Sequence, residues 1–385
     1  MITLDPPLVD QEEPYDNSGG YTSETKAVVQ RATNFAKLAN EDFGPGQVIV
    51  PNLNGERCLV SRFVCPQTPP MGVKTIMEAA RFVSLVPFME DWQLFVGNED
   101  MWSTSDQFLE LCAGDWEEHA VLLRNFFSFL DQKSGAANES FIVFGHGIPE
   151  GDTVYVMRRP RDSARDGVTL WNAATGIEYS ALDPRCPLQT ISMVVGENNM
   201  YMNAQSVGMP SRIMFDFGNK KNWKPFFTAK LPMPDDYRHC QPEINYIETP
   251  DKEVDGLERQ IMETLKIDLK EWRSKSYQTY LNQSVARDLQ KTLESLESLK
   301  RGAAGYNEDV HLDMLKKWTN SYDMNGYPLN FTFTDVKSIS YAVKDTGIHL
   351  NEDPNVKFAI TVKCFGYPCG VVSVWVYVAA LVRKR

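Results

Sequence analysis

The chain has 385 residues, 43% of them hydrophobic, and a formal net charge of −12. That is enough apolar material for a sizeable core and enough length for two or three domains, so a disordered chain is excluded. The negative excess excludes a general nucleic-acid or anionic-membrane surface, because both require a positive field.

The first residues, Met1 to Pro14, carry acids and prolines, not a basic stretch followed by an apolar one, so no secretory signal peptide is expected and the chain reads as cytoplasmic. Residues 1–45 have the composition of a flexible acidic linker with one short helix, "SETKAVVQRATNFAKLAN", for which Ser23 and Glu24 suit the start. The stretch "IMEAARFVSLVPF" is helical by spacing, with Ile76, Ala79, Ala80 and Val83 on one face and Pro87 stopping it. "TSDQFLELCAG" predicts a brief helix capped at Thr104 or Ser105 and ended by Gly114.

After Trp116, the apolar positions Ala120, Leu123, Phe127 and Leu130 recur at helical spacing, which predicts a buried helix. "SFIVFGHG" and "TVYVMRR" predict two strands, and "GVTLWNAATGIEYS" a strand, a turn at the glycine and a second strand. "TISMVVG" and "RIMFDFG" continue the strand pattern. The order is one buried helix followed by an antiparallel sheet, an α+β organisation over residues 46–250.

From residue 251 the texture changes to amphipathic helices, "DKEVDGLERQIMETLKIDLKEWR" and "ARDLQKTLESLESLKRG". A helix "TDVKSISYAVKDTG", capped by Thr334 and stopped by Gly347, precedes a closing hairpin of "KFAITVKCF" and "VVSVWVYVAALV". In that last strand Val374, Val376 and Val378 share one face, and Trp375 and Tyr377 the other, so a strand apolar on both faces belongs inside. Residues 251–385 are thus expected to pack on the core. The apolar run from Val371 to Val382 is shorter than the roughly twenty residues a bilayer requires. Cys58, Cys65, Cys112, Cys186, Cys240, Cys364 and Cys369 form no CxxC pair, which suits structural thiols and argues against a zinc site or disulfide framework; no metal or cofactor is expected.

The motifs "FVSLVPF", "WSTSDQFLELCAGDWEEHAVLL", "GIPEGDTVYVM", "LWNAATG", "QPEINY", "AVKDTGIH" and "VVSVWVYVAALVRKR" resemble the C-terminal region of the coiled-coil and C2 domain-containing proteins of the ciliary transition zone, from about Val83 to Arg385. The resemblance implies a degenerate transglutaminase-like (papain-like) fold. In catalytic members a Cys stands at a helix start, with a His and an acid on the next strands. Carried onto this chain, those positions fall at Trp116, Thr153 and Asn172, and none has the chemistry: indole has no nucleophilic heteroatom and a threonine hydroxyl is no base near neutral pH.

Cys112, on the wrong side of Gly114, is a poor substitute nucleophile; His119 reads as a core histidine bonding a carbonyl, and His146 as a loop residue. Glu117 and Glu118 suit the first helical turn. The implied protein is a non-catalytic scaffold whose groove, bordered by Trp116, Thr153, Tyr155 and Asn172, binds an extended acidic peptide. Arg158, Arg159, Arg161 and Arg165 are expected at the groove rim, with Lys220, Lys221, Lys224 and the tail "RKR" as weaker basic features. The resemblance implies residence at the ciliary base and partners that include B9-domain proteins; a glutamate-rich tubulin tail is the candidate peptide. The competing class is a cysteine protease or transamidase with displaced catalytic residues.

Overall fold

The computed structural model describes residues 22, 24–44, 46–95, 100–273, 277–303 and 308–384. Residues 1–21 of the proposed acidic linker, with Ser23 and Pro45, lie outside the described residues. The first part of the chain forms α1 (Lys26–Ala36), β1 (Ile49–Pro51), β2 (Arg57–Leu59), α2 (Ile76–Val83), α3 (Asp91–Leu94), α4 (Ser105–Leu111) and α5 (Trp116–Ser134). Then follow β3 (Asn138–Gly147), β4 (Gly151–Pro160), β5 (Thr169–Asn172), β6 (Ile177–Ser180), β7 (Leu188–Val195), β8 (Met200–Asn203) and β9 (Trp223–Pro225). The last part comprises α6 (Asp251–Trp272), β10 (Tyr280–Leu281), α7 (Gln283–Lys300), α8 (Glu308–Thr319), β11 (Tyr322–Thr332), α9 (Val336–Asp345), β12 (Lys357–Gly366) and β13 (Val372–Arg383).

Strands β3 to β9 make one antiparallel sheet in the order β6-β5-β4-β3-β7-β8-β9. Its strands alternate between two apolar layers, as the period of two requires. Ile142, Phe144, Val154, Val156 and Trp171 pack with Ala120, Leu123, Phe126 and Phe127 of α5, whereas Val143, Tyr155, Met157 and Leu170 pack with Phe215 and Trp223 on the opposite face. The architecture is α+β, with α5 buried against an antiparallel sheet.

Helix α5 forms where the periodicity placed it, and its start is fixed by a capping box: Asp115 accepts from the first turn while Glu118 reaches back to Asp115 N. Helix α1 is capped by Thr25, and Val28, Ala32 and Phe35 are buried in the same core as α5. The segment from Thr25 to Ala36 is therefore part of the globular unit and not linker, because its apolar face has a partner. Helix α4 ends at Leu111 with Cys112 in the left-handed region (φ 50°), so Gly114 is not its stop. Gly114 instead abuts the Phe108 ring, where a Cβ would come within 2.8 Å. "RIMFDFG" is no strand: Ile213 and Phe215 are fully buried, but in loop backbone, so their apolar character reported burial and not extension. Helix α9 takes its cap from Asp335, whose carboxylate accepts from Lys337 N and Ser338 N, and not from Thr334.

The closing hairpin is the middle of a second sheet, ordered β10-β12-β13-β11. Strand β11, which sequence spacing had not revealed, supplies the far edge, and β10 pairs parallel with β12. Val374, Val376 and Val378 face α6 and α9, and Trp375 and Tyr377 face α7, so both sides of β13 are covered.

The two sheets are joined through one buried ion pair. Arg81 of α2 donates Nε to Glu297 Oε1 at 3.1 Å and Nη2 to Oε2 at 2.7 Å. The second Glu297 oxygen also accepts from Ser373 Oγ and Trp375 Nε1, the first from Tyr367 OH, and Arg81 Nη2 further donates to Asn330 Oδ1 and Ser373 Oγ. Burial pushes the Glu297 carboxyl up, but the Arg81 guanidinium and the other donors outweigh it, and the net shift is below the usual range. A carboxyl with a lowered folded pKa contributes stability above its unfolded pKa and loses it as pH falls through the folded one. Arg81→Met should therefore lower the unfolding free energy at pH 7 by about 3 to 5 kcal/mol, by leaving a buried carboxylate unpaired. Urea titrations at pH 7 and pH 4 check this, with the smaller penalty expected at pH 4, where the buried Glu297 of the variant, without its guanidinium, takes up a proton.

Candidate functional site

The N-terminus of α5 opens into a cleft of about 600 Å³ lined by Trp92, Trp116, Phe144, Thr153 and Val154 together with Glu90, Asp91, Asp100, Asp115, Glu117, Glu150 and Asp152. Among the described residues no lysine, arginine or histidine lines it. Trp116 is the first residue of α5 and its ring lies 4.5 Å from the Phe88 ring centre to centre. The indole thus occupies the place where a helix dipole could activate a thiol.

The cleft carboxyls crowd one another. Burial, followed by Glu117, pushes Asp115 up to about 10; burial pushes Glu117 up to about 8 and Asp91 up to about 6, and Asp100 is also raised by burial. Asp91, Asp100 and Asp115 each bring a carboxylate oxygen within 4.8 Å of the others, a spacing at which a hard divalent cation would meet three oxygen ligands. The sequence reading had placed no metal ligands here, since the three acids are far apart in the chain.

Around this cleft the other candidate residues disperse. Thr153 borders the cleft, yet it stands two residues before Tyr155 on β4 and opposite Gly145, so its side chain shares the Tyr155 face of the sheet and not the α5 face. Asn172 lies on that same far face, where its Nδ2 donates to Tyr155 OH at 3.1 Å and to Glu150 Oε1 at 3.3 Å, and Tyr155 OH donates to Glu150. Trp116, Thr153 and Asn172 therefore do not converge. A one-residue offset in a strand reverses the face, and the side chains turned toward α5 are Val154, Val156, Trp171 and Ala173, none of them ionisable.

The arginines do not rim the cleft. Arg159 lies six positions along β4 from Thr153, roughly 20 Å at strand rise. Arg158 makes a two-bond pair with Asp131 in the last turn of α5, at 2.7 and 2.9 Å. Arg159 is buried, donating to the Ser163 and Phe215 carbonyls and to Glu139, which Arg161 also meets at 3.4 Å. Arg165 donates to the Ser211 carbonyl. With seven carboxyls in the Trp116 cleft and the guanidiniums elsewhere, the expected acidic peptide has no charge partner there.

The substitute nucleophiles are equally constrained. His119 is fully buried, with Nδ1 at 2.6 Å from Asp115 O and Nε2 at 3.1 Å from Val86 O, and burial pushes its pKa down. Both ring nitrogens face carbonyls, as a core histidine does. Burial, then Cys369, pushes the Cys112 thiol up, the opposite of activation. His146 meets Asp152 at the surface. All seven cysteines are free.

Comparison with known proteins follows this division of the chain. Residues 100–226 match a CEP76 peptidase-like domain and residues 250–383 a Centrosomal protein of 76 kDa C-terminal domain. Over 93% of its length the chain is 31% identical to human Protein CC2D2B, of which 25% is covered; over 87% it is 26% identical to Drosophila melanogaster Coiled-coil and C2 domain-containing protein 2A, again 25% covered. Both relatives are of the coiled-coil and C2 domain-containing kind that the sequence motifs resemble. The chain spans about a quarter of the length of these two relatives. Danio rerio Centrosomal protein of 76 kDa is more distant, 22% identical over 84% of this chain and 52% of that protein.

A raised folded pKa makes the native state hold protons that the unfolded state has released, so the cleft costs stability as pH rises from about 4 toward 8. Glu117→Gln removes one of these carboxyls while keeping the Asp115 cap. Its melting temperature should exceed wild type at pH 8 by a margin worth about 1 kcal/mol, narrowing at pH 5; calorimetry at the two values checks this.

Proposed function

We propose that the chain is a non-catalytic binding and scaffold module with a degenerate transglutaminase-like fold, acting at the ciliary transition zone. The observation that carries this reading is the start of α5: Trp116 stands there, the strand residues next to Thr153 and Asn172 that turn toward α5 are Val154 and Trp171, and the histidine nearest in sequence, His119, has both nitrogens against carbonyls. Acyl transfer by a thiol needs a nucleophile and a base within hydrogen-bond reach, and this helix end supplies neither. The likeness to the coiled-coil and C2 domain-containing relatives and to the centrosomal one supports placement at the cilium base and protein partners, among them B9-domain proteins. The basic surface at the far end of β4 supports an acidic peptide, such as a glutamate-rich tubulin tail, as one ligand.

The purified chain should release no ammonia from a glutamine donor and cleave no peptide, and Trp116→Cys should stay inactive because no imidazole faces position 116. Its cysteines should react with iodoacetamide at pH 6 no faster than buried thiols. Turnover by the wild type that survives repurification would sink the reading in favour of a displaced-residue protease or transamidase. A tagged full-length protein that fails to concentrate at the ciliary base would sink the placement.

A further inference from the structure

A second cavity, of about 250 Å³, lies at the opposite end of α5 from the acidic cleft, where Arg124, Ser128 and Gln132 meet the start of β3, the end of β4 and the β7–β8 turn. Three guanidiniums line it, those of Arg124, Arg159 and Arg161, and two carboxylates, Glu139 and Glu197. Glu139 serves both Arg159 and Arg161. Arg124 is 3% exposed, yet the carboxylate facing it, Glu197 on the turn, stands 4.0 Å away, beyond hydrogen-bond range. Its Nε is occupied by the Ser140 carbonyl, at 3.0 Å, and its Nη1 reaches Asn125 Oδ1 at 3.4 Å. Burial pushes the Arg124 guanidinium down to about 10.

Two further polar atoms of the lining are buried without a hydrogen-bond partner: Ser140 Oγ, on the α5 face of β3 with Arg124, and Arg159 Nε, which strand parity puts on the other face, where the cavity rounds the edge of β3 beyond its last pair with β7. A buried guanidinium without a close counter-ion, beside an unpartnered hydroxyl, is a site to which an oxyanion would bring the missing acceptors. The charges decide its class. Three positive groups against two negative ones leave an excess of one, which a single carboxylate balances and a doubly charged phosphate overshoots.

We propose that this cavity is the seat of one acidic side chain, a glutamate or aspartate carboxylate, presented by a protein partner. The proposal rests on the reading of the chain as a binding module and gives that module its acidic-peptide contact at Arg124 and Ser140, with Arg161 at the rim, not at Trp116. Arg124 supplies a desolvated, charge-assisted donor. Arg161, with its side chain 66% exposed, supplies the outer one, and Glu197 is the chain's own competitor for Arg124.

The test is titration of the whole chain with a fluorophore-labelled hexaglutamate peptide by anisotropy at low salt, with two variants outside the packed core. Arg161→Gln should weaken binding about two- to fivefold, and Glu197→Gln should tighten it by a similar factor, the range set by exposed ion pairs, with melting temperatures unchanged. A lack of peptide binding by wild type, or one affinity shared by wild type and both variants, overturns the proposal. Inorganic phosphate displacing the labelled peptide at lower concentration than free glutamate overturns the carboxylate assignment. Loss of peptide binding without turnover removes this site alone, whereas turnover removes the non-catalytic reading whatever the peptide does.

Discussion

The structure depends on a charge that has to be taken out of water. Glu297 is 2% exposed, and its two oxygens are met by Arg81, Ser373, Trp375 and Tyr367, residues from a helix of the first unit and from the hairpin of the second. A buried carboxylate is tolerated only with its lone pairs filled, so the four donors must be brought together whenever the chain folds. That requirement fixes how α2 sits against β13 and α7. It also draws the hairpin turn inward, where Tyr367 and Val371 join the core formed around α5. The apolar layers supply the drive for burial, but they are less particular about orientation than a network of directed hydrogen bonds.

Helix α5 distributes this order through the first unit. Its middle is the core of the larger sheet, its last turn clamps Arg158 of β4 through Asp131, and its start brings Asp115 and Glu117 into the acidic cleft. In a thiol enzyme the positive end of such a helix would stabilise a thiolate. Here Asp115 and Glu118 take up the free amides of that end through the capping box, and an indole fills the first position. A peptidase-like helix end that carries no thiol supports the proposed reading of a domain that binds without turning over.

The separation of charge along α5 gives the molecule two unlike sites. Carboxyls gather at one end and guanidiniums at the other, with β4 running between them. The overall charge of −12 conceals this, because it sums over both ends.

Local patterns determined much of the fold. The spacing of Ala120, Leu123, Phe127 and Leu130 was enough to place α5 in the core, and the two apolar faces of residues 374 to 378 were enough to place β13 inside a sheet. Both follow from periodicity, which is a property of the chain alone. What sequence could not decide was which faces and ends meet. The family resemblance puts Thr153 and Asn172 in a site with Trp116, but strand parity turns them to the other side. "RRPRDSAR" is a dense basic run, but Arg158 and Arg159 spend their donors on Asp131, Glu139 and backbone carbonyls, and the run ends far from the cleft. Arg124 was the one signal left unused: a cation inside the apolar run "VLLRNFF" must be buried with a partner. Sequence determined the elements and their buried faces because those are set by neighbours a few residues away. Only the tertiary structure decided the sites, because each is assembled from groups tens to hundreds of residues apart whose charges act through space.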